Sequence, residues 1–393
     1  MADKPDTVGQ SRVLQPARLG DLLESLRTRG YELVGPTVRD GAIIYDTISG
    51  PADLPVGWTD EHGAGNYRLR RRDDEALFGY TVGPHSWKKF LFPPAALLWR
   101  ASRDADGITI ADDDDDVPRF AFIGVRPCEL AAISILDRVL LQGEYTDPNY
   151  ATRRRQAFIV AVNCAQPGGT CFCSSMNTGP EATGGFDLCL TEVIGSDAHY
   201  LLAKAGTEAG ETVLADLPVR TATEEEMAAA AAVCADAAAH MGRTVDTTAI
   251  RDLLYRNAEN ARWNETATRC LACANCTMVC PTCFCSTVED TTDLAGTHAE
   301  RRRVWDSCFT ADFSYLHGGS IRRSVRARYR QWLTHKLAAW QDQFGVSGCV
   351  GCGRCITWCP AGIDITEEIE AIRARDIGAP PVADSKETVH GDA

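Results

Sequence analysis

The sequence predicts a mixed α+β and α/β domain in the N-terminal half, followed by a predominantly α-helical domain. Two patterns support this division. Short apolar runs that suit buried strands, such as Phe120–Val125 and Ala157–Val162, lie in the first half. The second half opens with an alanine-rich segment, and most of the 17 cysteines lie within Cys270–Cys359. We expect the first domain over residues 1–215, the second over residues 222–375, and a flexible tail over residues 378–393.

The N-terminal half alternates helix-like and strand-like segments. Its first 120 residues are expected to contain one helix and two strand pairs: Leu19–Arg29, Val34–Val38 with Ala42–Tyr45, and Arg68–Arg70 with Ala76–Val82. The strand Phe120–Val125, the helix Glu129–Leu141 and the strand Ala157–Val162 then follow one another. Because strand–helix–strand order favours parallel pairing, we expect a βαβ unit here.

The C-terminal half has the start signals and the periodicity of helices. Thr223 and Glu226 form a capping box that opens the helix Glu224–Met241, and more helix is expected over residues 248–266. An apolar stripe at i, i+4 spacing predicts a further helix and comprises Ile321, Val325, Tyr329, Trp332, Leu333, Lys336, Leu337 and Trp340. Its flanks carry Arg322, Arg323, Arg326, Arg328 and Arg330. One interpretation of these arginines is a solvated basic face. The alternatives are a docking surface and compensation for the negative charge of nearby anionic groups.

The composition narrows the function classes. The net charge of −14 argues against nucleic acid as a partner, because phosphate binding requires a basic surface. No apolar run approaches the ~18 residues of a membrane span, and residues 1–18 contain no apolar stretch of a secretory signal. We therefore expect a cytoplasmic protein without a membrane partner. In a reducing cytosol, 17 thiols are expected to serve as metal ligands rather than as disulfides.

Two cysteine motifs with the same spacing are the strongest signal in the chain. The first is Cys270-x2-Cys273-x2-Cys276-x3-Cys280-Pro281, and the second is Cys349-x2-Cys352-x2-Cys355-x3-Cys359-Pro360. The first three thiolates can wrap one corner of a cubane, and the fourth, which precedes proline, ligates the other cluster in two-cluster ferredoxins. We therefore predict an α-helical dicluster ferredoxin domain that holds two [4Fe–4S] clusters.

The ligand sets follow from this exchange of the fourth cysteine. Cluster 1 is assigned to Cys270, Cys273, Cys276 and Cys359. Cluster 2 is assigned to Cys349, Cys352, Cys355 and Cys280. Two zinc sites are the alternative, but zinc needs only two CxxC pairs and explains neither the third cysteine nor the Cys-Pro pair. A long insert separates the two motifs and is expected to be helical.

A third set of cysteines lies in the N-terminal half. Cys128 follows the first strand of the expected βαβ unit, Cys164 follows the second strand, and Cys171 and Cys173 lie in a glycine-rich loop. Cysteines at the carboxyl ends of adjacent strands can converge with this loop, so the four thiols are candidate ligands of a third [4Fe–4S] cluster. The alternatives are buried or redox-inactive thiols, or another metal.

The remaining cysteines are Cys189, Cys234, Cys283, Cys285 and Cys308. The first two have no partners at ligand spacing and are interpreted as packing thiols. Cys283 and Cys285 belong to the segment Thr282–Ser286, which repeats the segment Thr170–Ser174 residue for residue. The last three cysteines are one short of a cluster. They either share a cluster with residues of the other half or donate S–H hydrogen bonds that tune a cluster's potential.

Several short strings of residues resemble one family of proteins. The N-terminal strings are Gly124-Val125-Arg126-Pro127-Cys128-Glu129, Asp147-Pro148-Asn149-Tyr150, Ala161-Val162-Asn163-Cys164, Thr170–Met176 and Gly185-Phe186-Asp187-Leu188. The C-terminal strings are Cys280–Cys285, Trp305-Asp306-Ser307-Cys308 and Arg328-Tyr329-Arg330-Gln331. Over about residues 83–365, the chain resembles the beta subunits of cytoplasmic sulfhydrogenase-type [NiFe] hydrogenases, and the related electron-transfer subunits of anaerobic sulfite reductases are similar. Cys189 departs from the family pattern, which argues against a ligand role for it.

The resemblance implies an electron-transfer subunit that performs no catalysis alone. Such a subunit relays electrons between the small and large subunits of the [NiFe] hydrogenase and a subunit that binds flavin and NAD(P)H. In a sulfite reductase, a sirohaem subunit is the catalytic partner. This alternative stays open, as does a structural or regulatory iron–sulfur protein. The sequence has no G-x-G-x-x-G after a strand and no P-loop, so flavin, nucleotide and catalytic metal are expected on other subunits.

Overall fold

An eight-stranded mixed sheet is the centre of the N-terminal half of the computed structural model, which describes residues 10–112, 117–195, 198–376 and 378. In spatial order its strands are β12 (Arg220–Thr221), β1 (Arg12–Leu14), β11 (His199–Ala205), β10 (Leu188–Ile194), β9 (Phe158–Val162), β8 (Phe120–Val125), β2 (Glu32–Arg39) and β3 (Ala42–Thr47). The strands β2, β8, β9 and β10 run parallel to one another. The pairs toward both edges are antiparallel.

The described α-helices up to Ala239 lie between or after strands of the chain, and the last of them opens the C-terminal half. They are α1 (Leu19–Thr28), α2 (Lys88–Leu91), α3 (Pro127–Leu140), α4 (Pro148–Gln156), α5 (Glu208–Ala215) and α6 (Glu224–Ala239). The capping box predicted for α6 is confirmed. The N–H of Glu226 donates to Thr223 Oγ1 at 3.2 Å, and the N–H of Thr223 donates to the Glu226 carboxylate at 2.9 Å.

The predicted strand–helix–strand unit is confirmed. Every residue of β8 and β9 is buried, as expected for parallel strands that are covered on both faces. The helix α3 begins with Pro127, whose fixed φ suits a first helical turn. The Glu129 carboxylate accepts a hydrogen bond of 3.1 Å from the N–H of Arg126 and closes the start of the helix. The residues that follow β8 and β9 therefore lie at the same edge of the sheet.

A four-stranded sheet combines strands from both halves of the chain. Its order is β13 (Ser286–Thr292), β14 (His298–Trp305), β6 (Ala95–Asp104) and β7 (Gly107–Asp112). The sequence predicts a helical insert between the two cysteine motifs, and this prediction is wrong for β13 and β14. Threonine and valine in β13 favour a strand, and β14 pairs antiparallel with β6. A partner that is so distant in sequence supplies the hydrogen bonds that make this segment a strand.

One predicted strand pair in the N-terminal half is also wrong. Arg68–Arg70 belongs to β5 (Asn66–Arg71), which pairs with β4 (Trp58–Gly63) and not with Ala76–Val82. The segment Ala76–Val82 is a buried connection without strand structure. Two of its backbone N–H groups donate to the carboxylate of Glu192 at 2.7 and 2.8 Å, so they are satisfied without a sheet partner.

The C-terminal half is largely helical. Its described α-helices are α7 (Ile250–Arg256), α8 (Arg262–Arg269), α9 (Asn275–Met278), α10 (Val325–Thr334), α11 (Trp340–Phe344), α12 (Arg354–Thr357) and α13 (Ile365–Ala374). A π-helical turn, His335–Ala339, joins α10 to α11. A short hairpin, β15 (Tyr315–Leu316) and β16 (Gly319–Ser320), precedes them. The predicted apolar stripe is buried from Tyr329 to Trp340, whereas Ile321 lies before the helix and is exposed.

Apolar side chains of the N-terminal half pack against apolar side chains of the C-terminal half. The core of the large sheet includes Ile123 and Val160, and the helical core includes Trp263 and Trp332. A smaller cluster contains residues of both halves: Cys128, Cys173, Trp340, Val350 and Cys352. The second cysteine motif therefore lies where the two halves meet.

The domain boundaries at 1–215 and 222–375 stay predictions. The tail predicted over residues 378–393 lies outside the described residues, apart from Gly378. Within the described ranges, no helix has both the length and the apolar character needed to cross a membrane.

Candidate iron–sulfur centres

The two cysteine motifs have the same backbone course, a loop followed by a single helical turn. In the first motif, Ala272 and Ala274 have φ values of 49° and 67°. The corresponding residues of the second motif are Gly351 and Gly353, with φ values of 65° and 73°. The left-handed region is unfavourable for residues other than glycine and occurs mainly where the structure requires it. Both loops therefore wrap in the same way, although only the second uses glycine.

Glycine is needed in the second motif because the segment Thr170–Cys173 packs against that loop. A Cβ on Gly351 would lie 2.6 Å from the carbonyl oxygen of Phe172, and a Cβ on Gly353 would lie 2.4 Å from that of Thr170. The N–H of Phe172 donates to the carbonyl oxygen of Gly351 at 2.8 Å. The first copy of the repeated pentapeptide is thereby held against the second cysteine motif.

The four thiols predicted to hold cluster 1 line a single cavity. They are Cys270, Cys273, Cys276 and Cys359. Cys273 is exposed, and the other three are half-buried. Ala272 N–H donates to Cys270 Sγ and Ile363 N–H donates to Cys359 Sγ, each at 3.4 Å. Four thiols around one cavity, two of them with backbone donors to their sulfur atoms, are a donor set that fits a [4Fe–4S] cluster close to the protein surface.

The four thiols predicted to hold cluster 2 are also neighbours, and they lie deeper. Cys280, Cys349 and Cys352 are buried, and Cys355 is half-buried. Burial raises the pKa of the Cys355 thiol well above its usual value, and the adjacent Cys349, Cys352 and Cys280 raise it further. Gly351 N–H donates to Cys349 Sγ at 3.5 Å. The fold thus brings Cys280 to the thiols of the second motif, and this donor set also fits a cluster.

The two sets adjoin each other. Cys355, from the second set, lines the cavity of the first set. Burial raises the pKa of the Cys276 thiol well above its usual value. The nearby thiols Cys270 and Cys359 raise it further, and so does Cys280 of the second set. Burial therefore favours the neutral thiols, whereas coordination to iron deprotonates a thiol outright.

The third set of thiols converges at the edge of the large sheet. Burial raises the pKa of Cys128 well above its usual value, and Cys173 and Cys352 raise it further. The pKa of Cys171 is raised in the same way, by burial and then by Cys173 and Cys164. Cys171 Sγ also approaches the carbonyl oxygen of Cys352 at 3.9 Å. The fold therefore brings the four predicted residues together and places them beside the second cysteine motif.

A buried guanidinium, that of Arg126, accompanies this third set. Its Nη atoms donate to the carbonyl oxygens of Asn163, Phe78 and Tyr80 at 3.1, 2.9 and 2.6 Å. Burial raises the pKa of Cys164, and Arg126 acts in the opposite direction. Arg126 therefore supplies positive charge at a place where thiolate ligands need it.

A buried ion pair connects α3 with the second cysteine motif. Arg354 Nη2 donates to Glu129 Oε1 at 2.5 Å, and both side chains are fully buried. Glu129 Oε2 also accepts hydrogen bonds from Tyr45 Oη at 2.8 Å and Trp87 Nε1 at 3.0 Å. The capping position of Glu129 is a local signal in the sequence, whereas its pairing with Arg354 is non-local and has none.

Each of the three remaining C-terminal cysteines lies next to another thiol. Cys283 lies beside Cys280, and the hydrogen bond between them raises the pKa of Cys283 well above its usual value. Cys285 lies beside Cys308, and this hydrogen bond lowers the pKa of Cys285 to about 7. The three line a cavity together with His335, Lys336 and Trp340. Of the two roles predicted for them, hydrogen bonding to a cluster ligand suits Cys283.

A zinc ion at each cysteine motif is the alternative to a cluster. Among the described residues, no three or more His, Cys, Asp or Glu side chains converge closely enough to hold one ion. A structural zinc ion needs four ligands at about 2.0–2.3 Å. Cys189 and Cys234 are buried, and their interpretation as packing thiols stays a prediction.

Comparisons with known proteins concern both halves of the chain. A family model described as a 4Fe-4S dicluster domain matches residues 269–363. Sulfhydrogenase 2 subunit beta of Pyrococcus furiosus is 31% identical over 304 residues, which cover 76% of this chain and 86% of that protein. No solved structure matches the chain. The dicluster match indicates two [4Fe–4S] clusters in the C-terminal half.

Proposed function

The chain belongs to the family of sulfhydrogenase beta subunits, and from this premise we propose that it relays electrons between the small and large subunits of a [NiFe] hydrogenase and a subunit that binds flavin and NAD(P)H. As an iron–sulfur electron-transfer subunit, it holds two [4Fe–4S] clusters. The proposed ligands of cluster 1 are Cys270, Cys273, Cys276 and Cys359. Those of cluster 2 are Cys349, Cys352, Cys355 and Cys280.

The adjacency of the thiol sets is the observation that carries this proposal. Cys355 of the cluster 2 set lines the cavity of the cluster 1 set. Cys171 of the third set contacts the backbone of Cys352. The three sets therefore follow one another from the edge of the large sheet to the loop with the exposed Cys273. A third [4Fe–4S] cluster, held by Cys128, Cys164, Cys171 and Cys173, extends the relay into the N-terminal half.

The surface end of the relay supports a role between other subunits. Cys273 is the exposed member of the cluster 1 set, and the neighbouring Leu271 is 68% exposed. The cluster 1 set therefore opens to the protein surface, where a partner subunit can approach it. A nicotinamide gives up a hydride, which carries two electrons, whereas a [4Fe–4S] cluster takes one electron at a time. The relay therefore needs a flavin to separate the two electrons. We place it on a partner subunit because this sequence has no G-x-G-x-x-G after a strand.

The iron content tests the third cluster. Anaerobically purified chain is expected to bind about twelve irons, four for each cluster. Replacing Cys128 and Cys171 together by serine is expected to lower this to about eight, because two of the four proposed ligands are lost. Iron and acid-labile sulfide assays measure both values. The matched control replaces the buried Cys189 and Cys234 by serine and should keep about twelve irons. Unchanged iron in the Cys128→Ser, Cys171→Ser variant would show that there is no third cluster at this site.

The exchange of the fourth ligand is tested by comparing single substitutions. Cys280→Ser is expected to remove the paramagnetic signal of reduced cluster 2 and to spare cluster 1, because Cys280 lies among the thiols of the second motif. Cys359→Ser is expected to do the reverse. Electron paramagnetic resonance of the reduced chain measures both signals. Cys283→Ser, three positions from Cys280, is the matched control and should retain both. If Cys280→Ser and Cys273→Ser lose the same signal, the ligand assignment is wrong.

A further inference from the structure

A lysine is completely buried beside the proposed cluster 2. Lys336 is 4% exposed and lies in the π-helical turn His335–Ala339. Isolated π-helical turns within α-helices occur frequently at functional sites. Here the wide turn joins α10 to α11 and places a cation, rather than an apolar side chain, within the otherwise apolar stripe. The presence of a positive charge at this apolar position therefore has to be explained by the groups around it.

The hydrogen bonds of Lys336 identify what its charge faces. Its Nζ donates to Cys280 Sγ at 3.2 Å, to Thr282 Oγ1 at 3.0 Å and to the carbonyl oxygen of Gly348 at 3.0 Å. An ammonium group has three protons, so these three acceptors use all of them. Of the three, only a thiolate at Cys280 can carry a negative charge.

A buried cation is very unfavourable unless a negative group lies next to it. The nearby Arg354 has such a group, the Glu129 carboxylate, so that pair is neutral. The other buried lysine in this region, Lys88, donates to the carbonyl oxygen of Cys283 at 2.8 Å and lies over the Trp305 ring at 4.0 Å. Arg354 also hydrogen-bonds the proposed cluster 2 ligand Cys352, but its charge is already paired with Glu129. Lys336 has no carboxylate among its three acceptors, so the Cys280 sulfur is the acceptor that can carry its counter-charge.

From this geometry we propose that Lys336 is a positioning residue that raises the reduction potential of cluster 2 through its hydrogen bond to the Cys280 sulfur. The inference rests on the proposed assignment of Cys280 to cluster 2. Reduction adds one electron, taken from a neighbouring centre of the relay, and makes the cluster and its thiolates more negative. A cation in contact with one of those thiolates stabilises the added charge, because hydrogen bonds to the sulfur atoms and net charge set cluster potentials.

The proposed cluster 1 differs from cluster 2 in its described sulfur contacts. Its ligand sulfurs Cys270 and Cys359 accept hydrogen bonds from backbone N–H groups at 3.4 Å, and Cys349 of cluster 2 accepts a similar bond at 3.5 Å. Backbone donors are therefore common to both sets, whereas the described cationic donors to a ligand sulfur, Lys336 to Cys280 and Arg354 to Cys352, belong to cluster 2. We expect cluster 2 to be reduced before cluster 1, so that it holds the electron in the middle of the relay.

The test is a potentiometric titration of the full chain, purified anaerobically with its clusters and followed by electron paramagnetic resonance. In Lys336→Met, the equilibrium constant for electron transfer from cluster 1 to cluster 2 is expected to fall about tenfold or more. A tenfold change corresponds to a difference of 59 mV in reduction potential for a one-electron couple. Lys336→Arg keeps the charge and should stay within about threefold of the unsubstituted chain. Lys88→Met removes a buried ammonium whose charge also acts on Cys280 but which donates to the carbonyl oxygen of Cys283 and not to the ligand sulfur. It should therefore lower this equilibrium by no more than about threefold.

A second measurement keeps the proposal testable if Lys336→Met fails to hold cluster 2. In the unsubstituted chain labelled with ¹⁵N-lysine, pulsed paramagnetic resonance of reduced cluster 2 should detect one coupled ¹⁵N nucleus, and the signal should persist in Lys88→Met. Absence of that coupling, or an unchanged potential in a Lys336→Met chain with both clusters present, overturns the inference. If Cys280→Ser instead spares cluster 2, the ligand assignment is what fails, and the lysine coupling should then appear on cluster 1.

Discussion

Hydrogen-dependent reduction of NADP is expected to be abolished in a complex whose beta subunit carries Cys276→Ser or Cys352→Ser, whereas hydrogen-dependent reduction of an artificial dye should survive. Each substitution removes one proposed ligand, Cys276 from cluster 1 and Cys352 from cluster 2. The thiol sets adjoin in a single series, so on the proposed function the loss of either cluster would interrupt the path between the nickel–iron subunits and the flavin. A small dye can take electrons from the catalytic subunits directly and does not need that path.

Two comparisons control this experiment. Cys234→Ser replaces a buried thiol outside the proposed ligand sets and should leave both activities unchanged. The intact isolated chain should accept electrons from a chemical reductant, but it should neither consume hydrogen nor oxidise NADPH. Unchanged NADP reduction in the Cys276→Ser complex would remove cluster 1 from the path. Tight flavin binding and unaided NADPH oxidation by the isolated chain would contradict the relay and indicate a nucleotide site in the N-terminal half.

The parts of the site that could be predicted are those encoded by local spacing. Each cysteine motif specifies its own loop, and the proline after Cys280 and after Cys359 marks the ligand that leaves it. The strand–helix–strand order likewise places Cys128 and Cys164 at one sheet edge, because parallel strands end on the same side. In each case the information lies within a few residues or follows from topology.

The parts that could not be predicted depend on contacts between distant segments. β14 becomes a strand because it pairs with β6, about two hundred positions away, and strand propensity depends strongly on such context. The two copies of the repeated pentapeptide are visible in the sequence, but the sequence does not indicate which part of the structure they contact. Phe172 of the first copy bonds Gly351, and Thr282 of the second bonds Gly348 at 2.6 Å, so both copies contact the loop of the second motif.

Replacing Glu129 by glutamine is expected to destabilise the chain by about 3–5 kcal/mol, because it leaves the guanidinium of Arg354 buried without its counter-charge. Glutamine has nearly the same size as glutamate, so the change removes a charge rather than volume. An apparent melting temperature lower by on the order of 5 °C is expected in anaerobic thermal unfolding. Since Arg354 lies within the second cysteine motif, cluster 2 should also become easier to lose during heating, which its optical absorbance can follow.

Two further variants test whether an unpaired buried charge causes the loss of stability in Glu129→Gln. Glu259→Gln breaks the ion pairs of an exposed carboxylate with Arg326 and Arg330, and exposed pairs contribute little, so its melting temperature should barely change. The double variant Glu129→Gln, Arg354→Met removes both charges and should recover part of the stability lost in the single variant, since no unpaired charge remains. If Glu129→Gln melts like Glu259→Gln, or if the double variant is less stable than Glu129→Gln alone, then Arg354 does not depend on Glu129 for its charge balance. The cluster thiolates would then be its counter-charge, because Cys352 is the next group after Glu129 that raises the pKa of Arg354 against the effect of burial.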